Sequence, residues 1–347
     1  MNISDLDTPA YITDLDVMER NIAGMAARCR EIDIPLRVHT KSHKIPEIAH
    51  KQLAAGAIGI ACQKVGEAEA MVAGGVKDIL IPYNIVGPHK VERLTRISRR
   101  ATVTVALDSE DTARGIDVRA QKDGCKVSVI IELDTGSKRC GAQSPEEALA
   151  LAQKIMHMPG LDFKGFMTYP SRLEAKPFLD QTRELLDKAG IPVEMISGGG
   201  TGSEESSRDI GCTETRSGSY LWEGMTRIGH SDHLNPERCA CRMIVTVVSV
   251  PTTDRMIVDG GMKTFTSYPP TPYGHIVDHP HAKIYGMSVE HGHVDISACD
   301  HEFQVGDRLM VIPLHQEMCL NLHDELVAVR KGNVEAIWPV AGRGKVK

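Results

Sequence analysis

Between Leu36 and Tyr220 the chain repeats one alternation eight times: a short β-rich run, then an amphipathic run or a polar loop. The β-rich runs are Leu36–Lys41, Ile58–Cys62, Asp78–Asn84, Thr102–Leu107, Lys126–Leu133, Phe163–Tyr169, Val193–Ser197 and Thr213–Tyr220. The fifth, KVSVIIEL, is apolar almost throughout, as a strand covered on both faces must be. The runs between them have helical spacing, as in Val91, Leu94 and Ile97. Pro46, Pro88 and Pro145 open three of them, at a position where a missing N–H costs nothing. Ser144 stands where an N-cap belongs, and Gly74-Gly75 and Gly190 where helices end. Eight strand–helix pairs are the count of a closed (β/α)8 barrel. A doubly wound open sheet is the competing architecture. It is disfavoured because no G-x-G-x-x-G follows the first strand; the glycine-rich loop comes after the seventh.

After Arg227 the texture changes. Cys241–Val250, Arg255–Val258, Ala282–Met287, Arg308–Ile312 and Glu325–Arg330 read as strands separated by turns, with no long helical period. The expected organisation is therefore α/β: a TIM-like barrel over residues 1–228 and a C-terminal all-β domain over residues 229–347.

Composition narrows the function classes. The net charge of −6 gives no footprint for nucleic acid. No apolar run reaches the length of a membrane span. The first residues carry no charged leader before an apolar core, which argues against a secretory signal. Nine cysteines without such a signal point to reduced thiols and a cytoplasmic protein. Cys239-Ala240-Cys241 has no second pair at zinc-site spacing and reads as strand.

In a barrel of this kind, chemistry sits at the C-terminal ends of the strands. The first strand runs into Arg37-Val38-His39-Thr40-Lys41-Ser42-His43-Lys44. Strand alternation puts Arg37, His39 and Lys41 on one face. Such a row is either a solvated basic turn or the setting of an imine-forming lysine whose pKa is lowered by cationic neighbours. Across the barrel, Ser197-Gly198-Gly199-Gly200-Thr201-Gly202 follows strand seven, and Gly218-Ser219-Tyr220 closes strand eight. Bare glycine backbone there is either a phosphate cradle or a tight packing turn. A strand-end lysine opposite a phosphate cradle suggests pyridoxal 5′-phosphate.

These residues carry a resemblance. R-x-H-x-K-x-H-K at the first strand, Arg139-Cys140-Gly141 after the fifth, the Ser197–Gly202 loop, and Pro313-x-His315 with Asn321-Leu322-x-Asp324 occur in the order of the D-threonine aldolase and D-serine dehydratase family. The chain resembles that family, within the alanine-racemase-like pyridoxal-phosphate enzymes, over nearly its whole length. The resemblance implies a homodimer with Lys41 bound to the cofactor. It places Arg139 near the cofactor's phenolic oxygen and Tyr169 beside its ring. Ser197, Gly199, Gly200, Thr201, Gly218, Ser219 and Tyr220 would lie around the phosphate.

The family pattern also implies a late metal site, a histidine followed two residues on by cysteine or aspartate. Here His315 is followed by Glu317. In an extended segment that spacing puts both side chains on one face. A carboxylate with an imidazole suits Mn²⁺, Mg²⁺ or Zn²⁺. His291 and His293 are the alternative pair. A second departure is Tyr169-Pro170-Ser171, where many members have a histidine shortly after the tyrosine.

The expected activity is a metal-assisted aldolase that cleaves D-3-hydroxy-amino acids to glycine and an aldehyde, with His39, His43 or a metal-bound water as proton acceptor. The alternatives are a dehydratase giving a 2-oxo acid and ammonia, an amino-acid racemase, and a non-catalytic pyridoxal-phosphate-binding protein.

Overall fold

The computed structural model describes residues 1–225, 236–267 and 271–347. They divide into two compact units, one of residues 24–218 with 344–347, the other of residues 1–23 with 219–343. The boundary expected at 228/229 lies outside the described residues. The division falls instead at Gly218/Ser219, and the first residues belong with the later part of the chain.

The chain begins with β1 (Ala10–Asp14) and α1 (Leu15–Glu31). Eight strands then close a parallel barrel. They are β2 (Leu36–His39), β3 (Gly59–Ala61), β4 (Asp78–Ile81), β5 (Thr102–Leu107), β6 (Val127–Leu133), β7 (Leu161–Thr168), β8 (Met195–Gly198) and β9 (Glu214–Ser217). The helices between them are α2 (Pro46–Ala54), α3 (Val65–Ala73), α4 (Pro88–Ser98), α5 (Glu110–Lys122), α6 (Pro145–Ile155), α7 (Lys176–Lys188) and the short α8 (Glu204–Asp209). Ser144 caps α6 by accepting from Glu147 N–H, and Ser109 caps α5 in the same way. The expected eight-pair barrel is thus the observed one. β2 pairs β9 in register (Val38 with Ser217), which closes the cylinder.

Small and flexible apolar side chains fill the barrel: Ala61, Leu80, Ala106, Ile130 and Met167 pack as one buried cluster. Below that cluster the barrel holds charge. Arg37 Nε donates to both carboxylate oxygens of Glu214 at 2.9 Å, and its Nη1 meets Asp78 Oδ1 at 2.5 Å. Burial works against the Arg37 charge, and the two carboxylates more than offset it, holding its pKa above the ordinary value.

The second unit is built on a nine-stranded sheet of order β11-β14-β13-β12-β15-β10-β1-β16-β17. Its strands are β10 (Cys241–Thr252), β11 (Arg255–Val258), β12 (Gly274–Ile276), β13 (Lys283–Met287), β14 (Gly292–Asp295), β15 (Arg308–Pro313), β16 (Glu325–Arg330) and β17 (Asn333–Pro339). Two short helices interrupt it, α9 (Met262–Phe265) and α10 (Gln316–Leu320). β1 lies inside this sheet, antiparallel to β10 and parallel to β16, and buries Ile12 against Ile244, Val327 and Val329. Among the described residues no helix is long and apolar enough to cross a membrane.

Candidate active site

β2 ends at His39, two residues earlier than the sequence pattern predicts. Thr40–Ser42 is a 3₁₀ turn, and Lys41 rides on it, exposed between the buried Thr40 and Ser42. The turn is tied on both sides. Thr40 Oγ1 donates to Ala61 O at 3.0 Å, and Ser42 Oγ donates to His39 O at 3.1 Å. His43 N–H and Lys44 N–H both return to Thr40 O. Lys41 therefore leaves the alternation that would have aligned it with Arg37. Arg37 belongs to the carboxylate layer, paired with Glu214 and Asp78.

The two histidines are both buried. His39 caps the turn: its Nδ1 accepts from Lys41 N–H at 3.4 Å, and its Nε2 lies 3.2 Å from Gln63 Oε1. Burial first, then the charges of Lys41 and Arg216, hold its pKa well below the usual value. His43 faces α2. Its Nε2 meets Gln52 Oε1 at 3.1 Å and its Nδ1 accepts from Ile45 N–H at 3.1 Å. Burial lowers its pKa to about 4. Its two ring nitrogens thus serve both ends of α2, the Ile45 N-cap and Gln52 in the last turn.

The Arg139 guanidinium lies over the Tyr169 ring. The guanidinium carbon stands 5.2 Å from the ring centroid, and Arg139 Nη2 donates to the buried Glu132 at 3.1 Å. Three partners escaped the sequence reading: Glu132, Gln63 and Arg216. Arg216 is wholly buried and donates to Ser197 Oγ at 2.7 Å and to Thr168 O at 2.9 Å. Ser197 Oγ in turn donates to Glu214 at 2.5 Å. The available signal was Glu214-Thr215-Arg216, opposite charges at alternate positions of a strand, which puts both inside the barrel.

The glycine loop is tight. Gly199 has φ +89°, and a Cβ there would lie 2.3 Å from Thr215 Oγ1. A Cβ on Gly200 would meet the Tyr169 ring at 3.3 Å. Several amides are already paired: Gly199 N–H with Ser171 Oγ at 2.5 Å, Gly200 N–H with Ser203 Oγ at 3.0 Å, and Gly218 N–H with Thr201 Oγ1 at 3.1 Å. Gly202 N–H donates to the Glu204 carboxylate. The loop is therefore a hydroxyl-lined turn rather than a bare ring of amides. Ser171, two residues after Tyr169, braces it. Ser219 and the buried Tyr220 form the next 3₁₀ turn, Ser219–Leu221, in the second unit. A Gly199→Ala variant should lose about 1–3 kcal/mol of stability, because strained φ and a steric clash act together. Thermal unfolding reads this, and an unchanged midpoint would contradict the stated geometry.

In the second unit, His315 is the N-cap of α10 and accepts from Met318 N–H at 3.4 Å. Glu317 lies inside that helix. The extended-segment argument for one shared face does not apply, since residues two apart on a helix do not face each other. Burial lowers the His315 pKa, which favours the neutral, ligating form of the ring. The helix is pinned by buried partners the sequence did not reveal. Tyr11 Oη donates to Gln316 O at 3.1 Å, and Cys319 Sγ and His323 Nε2 both reach Thr264 O at 3.0 Å. Among the described residues no three His, Cys, Asp or Glu side chains are gathered as a metal cluster. His293 pairs with Ser288 Oγ at 3.0 Å, and His291 precedes β14, so the alternative pair does not share a strand.

A model of the alanine racemase N-terminal domain matches residues 13–225, and a model of a serine dehydratase domain matches residues 240–329. Fold and lysine-bearing turn thus define an alanine-racemase-like barrel with a C-terminal β domain. D-threonine aldolase of Arthrobacter sp is 35% identical over 360 residues, covering 99% of this chain and 94% of that one. 3-hydroxy-D-aspartate aldolase of Paracoccus denitrificans (strain Pd 1222) is 32% identical over 373 residues, covering 99% and 94%. The crystal structure of D-threonine aldolase from Filomicrobium marinum aligns with a TM-score of 0.90 at 30% identity, covering 100% of this chain and 98% of that one. The chain belongs to the D-threonine aldolase and D-serine dehydratase family.

Proposed function

We propose that this protein is a pyridoxal-phosphate-dependent, divalent-metal-assisted aldolase that cleaves D-3-hydroxy-amino acids to glycine and an aldehyde. The observation that carries it is the exposed Lys41 on a turn braced from both sides, in a barrel whose sequence follows a D-threonine aldolase along 99% of its length. The donor set fits the cofactor. Lys41 offers an amine, Arg139 and Tyr169 a cation and a flat ring face, and the Gly199–Thr201 loop a glycine backbone beside the Thr201 hydroxyl.

When bound, pyridoxal phosphate supplies an electron sink for the substrate α-carbon. Lys41 would hold the cofactor covalently, Arg139 would face its phenolic oxygen, and Tyr169 would lie against its ring. Ser197, Gly199, Gly200, Thr201, Gly218, Ser219 and Tyr220 would surround the phosphate. His315 and Glu317 would hold a Mn²⁺, Mg²⁺ or Zn²⁺ ion, and a hydroxyl bound to such an ion loses its proton more readily. In the aldol cleavage that hydroxyl proton leaves, the Cα–Cβ bond breaks, and Cα is reprotonated to give glycine. A homodimer is part of the same proposal.

The test is incubation with D-threonine, D-phenylserine, D-serine and D-3-hydroxyaspartate, with and without chelator. Glycine with an aldehyde is the expected outcome. A 2-oxo acid with ammonia would make the protein a dehydratase, and neither product would overturn the lyase reading. Chelation, or His315→Ala, should lower turnover by roughly 10²-fold if the ion activates the hydroxyl. Turnover indifferent to both removes the metal from the proposal.

A further inference from the structure

His39 and His43 stand two residues to either side of Lys41, and chemistry alone makes each imidazole a natural proton acceptor; His43 is taken up by Gln52 and the Ile45 amide, which leaves His39. Its surroundings give it other work. Nδ1 faces a backbone N–H, that of Lys41, which only donates. The neutral ring must therefore carry its proton on Nε2, and Nε2 faces Gln63. Only the carbonyl oxygen of Gln63 can complete that contact, so the amide orientation and the tautomer fix each other. Gln63 is itself held. Its backbone N–H and that of Lys64 donate to Glu67 Oε2 at 2.8 and 3.1 Å, which anchors the loop after β3. A chain of contacts thus runs from Glu67 in α3 through Gln63 and His39 to the turn that presents Lys41.

We propose that His39 is a positioning residue, a clamp on the Thr40–Ser42 turn held in one tautomer by Gln63, and not the proton acceptor of the reaction. This rests on the reading of Lys41 as the cofactor-bearing residue. Protonation of the ring would place a second N–H against the Lys41 amide and break the clamp. The charged groups that act on the ring oppose protonation: Lys41 from its own turn and Arg216 from β9, both cationic. Gln63 and the Ala61 backbone favour it, and burial outweighs them. Glu67 acts through the backbone of Gln63 and Lys64 and lies 4.0 Å from Lys44.

The two roles separate in the variants His39→Asn and His39→Ala. Asparagine is a good helix cap whose side-chain oxygen can accept from the Lys41 amide, but it has no titratable ring. Three readouts are needed. The first is amide hydrogen exchange of residues 40–42 in the cofactor-free protein. The second is the affinity of that protein for pyridoxal phosphate, from the visible absorbance of the lysine-bound cofactor. The third is the pH dependence of kcat with D-threonine. The clamp predicts that Asn keeps exchange protection and cofactor affinity within about threefold of wild type, whereas Ala loses both by roughly 5- to 10-fold. It also predicts that the acidic limb of the pH profile is unchanged in Asn. A proton-acceptor role predicts the reverse: both variants keep the turn and the cofactor, and both lose turnover by about 10²-fold or more together with the acidic limb. That result, or two variants that match wild type throughout, overturns the proposal. Hydrogen exchange reads the clamp without the cofactor. A wild-type protein that fails to take up pyridoxal phosphate therefore counts against the proposed function, while Ala and Asn still decide the clamp.

Discussion

Lys41→Ala is expected to abolish the visible absorbance of the lysine-bound cofactor and to lower aldol cleavage by at least ~10³-fold, the scale on which the loss of one acid–base group alone acts. The fold should survive. Lys41 is exposed, and its turn is held by Thr40, Ser42 and the His39 ring, all of which remain. Substitutions at such positions stay within about 0.5 kcal/mol of wild type, so the thermal midpoint should hardly move. Lys41→Arg is the sharper companion. It keeps the positive charge and most of the length, but a guanidinium stays protonated and forms no imine under these conditions. Both variants should be equally inactive. An active Lys41→Arg protein would show that only charge is needed at this position and would remove the covalent role of the lysine.

Glu214→Ala carries the largest stability effect. The carboxylate is buried, accepts both bonds from Arg37 Nε, and also accepts from Ser197 Oγ, which in turn accepts from Arg216. Its removal leaves the buried Arg37 with the Ile60 carbonyl at 3.5 Å and with Asp78, whose side chain is 48% exposed. Breaking a buried pair by deleting one partner costs about 3–5 kcal/mol. For a chain of this size that lowers the unfolding midpoint on the order of 10 °C. Arg37→Met together with Glu214→Leu should recover part of the loss, because the stranded Arg37 charge is gone, while the buried Arg216 still lacks Glu214 and keeps the weaker support of Glu132. A Glu214→Ala midpoint within about 2 °C of wild type would mean that the barrel floor is wet enough to solvate Arg37. The same layer explains why a basic row at a strand start is tolerated: Arg37 is an interior charge matched from β9 and β4, while Lys41 is a surface group on a turn.

The barrel was legible because its signals are local. Runs such as Val127–Leu133 are apolar on both faces, Ser144 and the prolines mark helix starts, and each period is short enough to be seen in a window of a few residues. The first strand was not. Ala10–Asp14 is an ordinary short β-rich run, and nothing in it names Ile244 or Val327 as its neighbours, more than 200 residues away. The same limit applies to the turn at Lys41. Alternation predicts a strand to residue 41, and long-range bonds from Thr40 to Ala61 O and from Ser42 to Gly218 O bend it into a 3₁₀ turn instead. At His315 and Glu317 alternation assumes an extended segment, whereas Glu317 lies in a short helix that His315 caps, so the one-face argument does not carry over.

The sequence by itself determined the eight-pair barrel and the β-rich second part, and it named the candidates for the proposed site: one lysine, one glycine loop, one arginine with one tyrosine. Periodicity and turn chemistry act between near neighbours in the chain, so a sequence displays them directly. Only the tertiary structure decided which charge answers which. It sent Arg37 to Glu214 and Asp78, set Arg216 on Ser197, turned His43 to Gln52, and left His39 between Gln63 and the amide of Lys41. The arginine pairings and the His39–Gln63 contact depend on elements that are remote in sequence and adjacent around a closed cylinder, where a buried charge or ring nitrogen must find its partner, while the two local contacts form only once the turn and α2 are set.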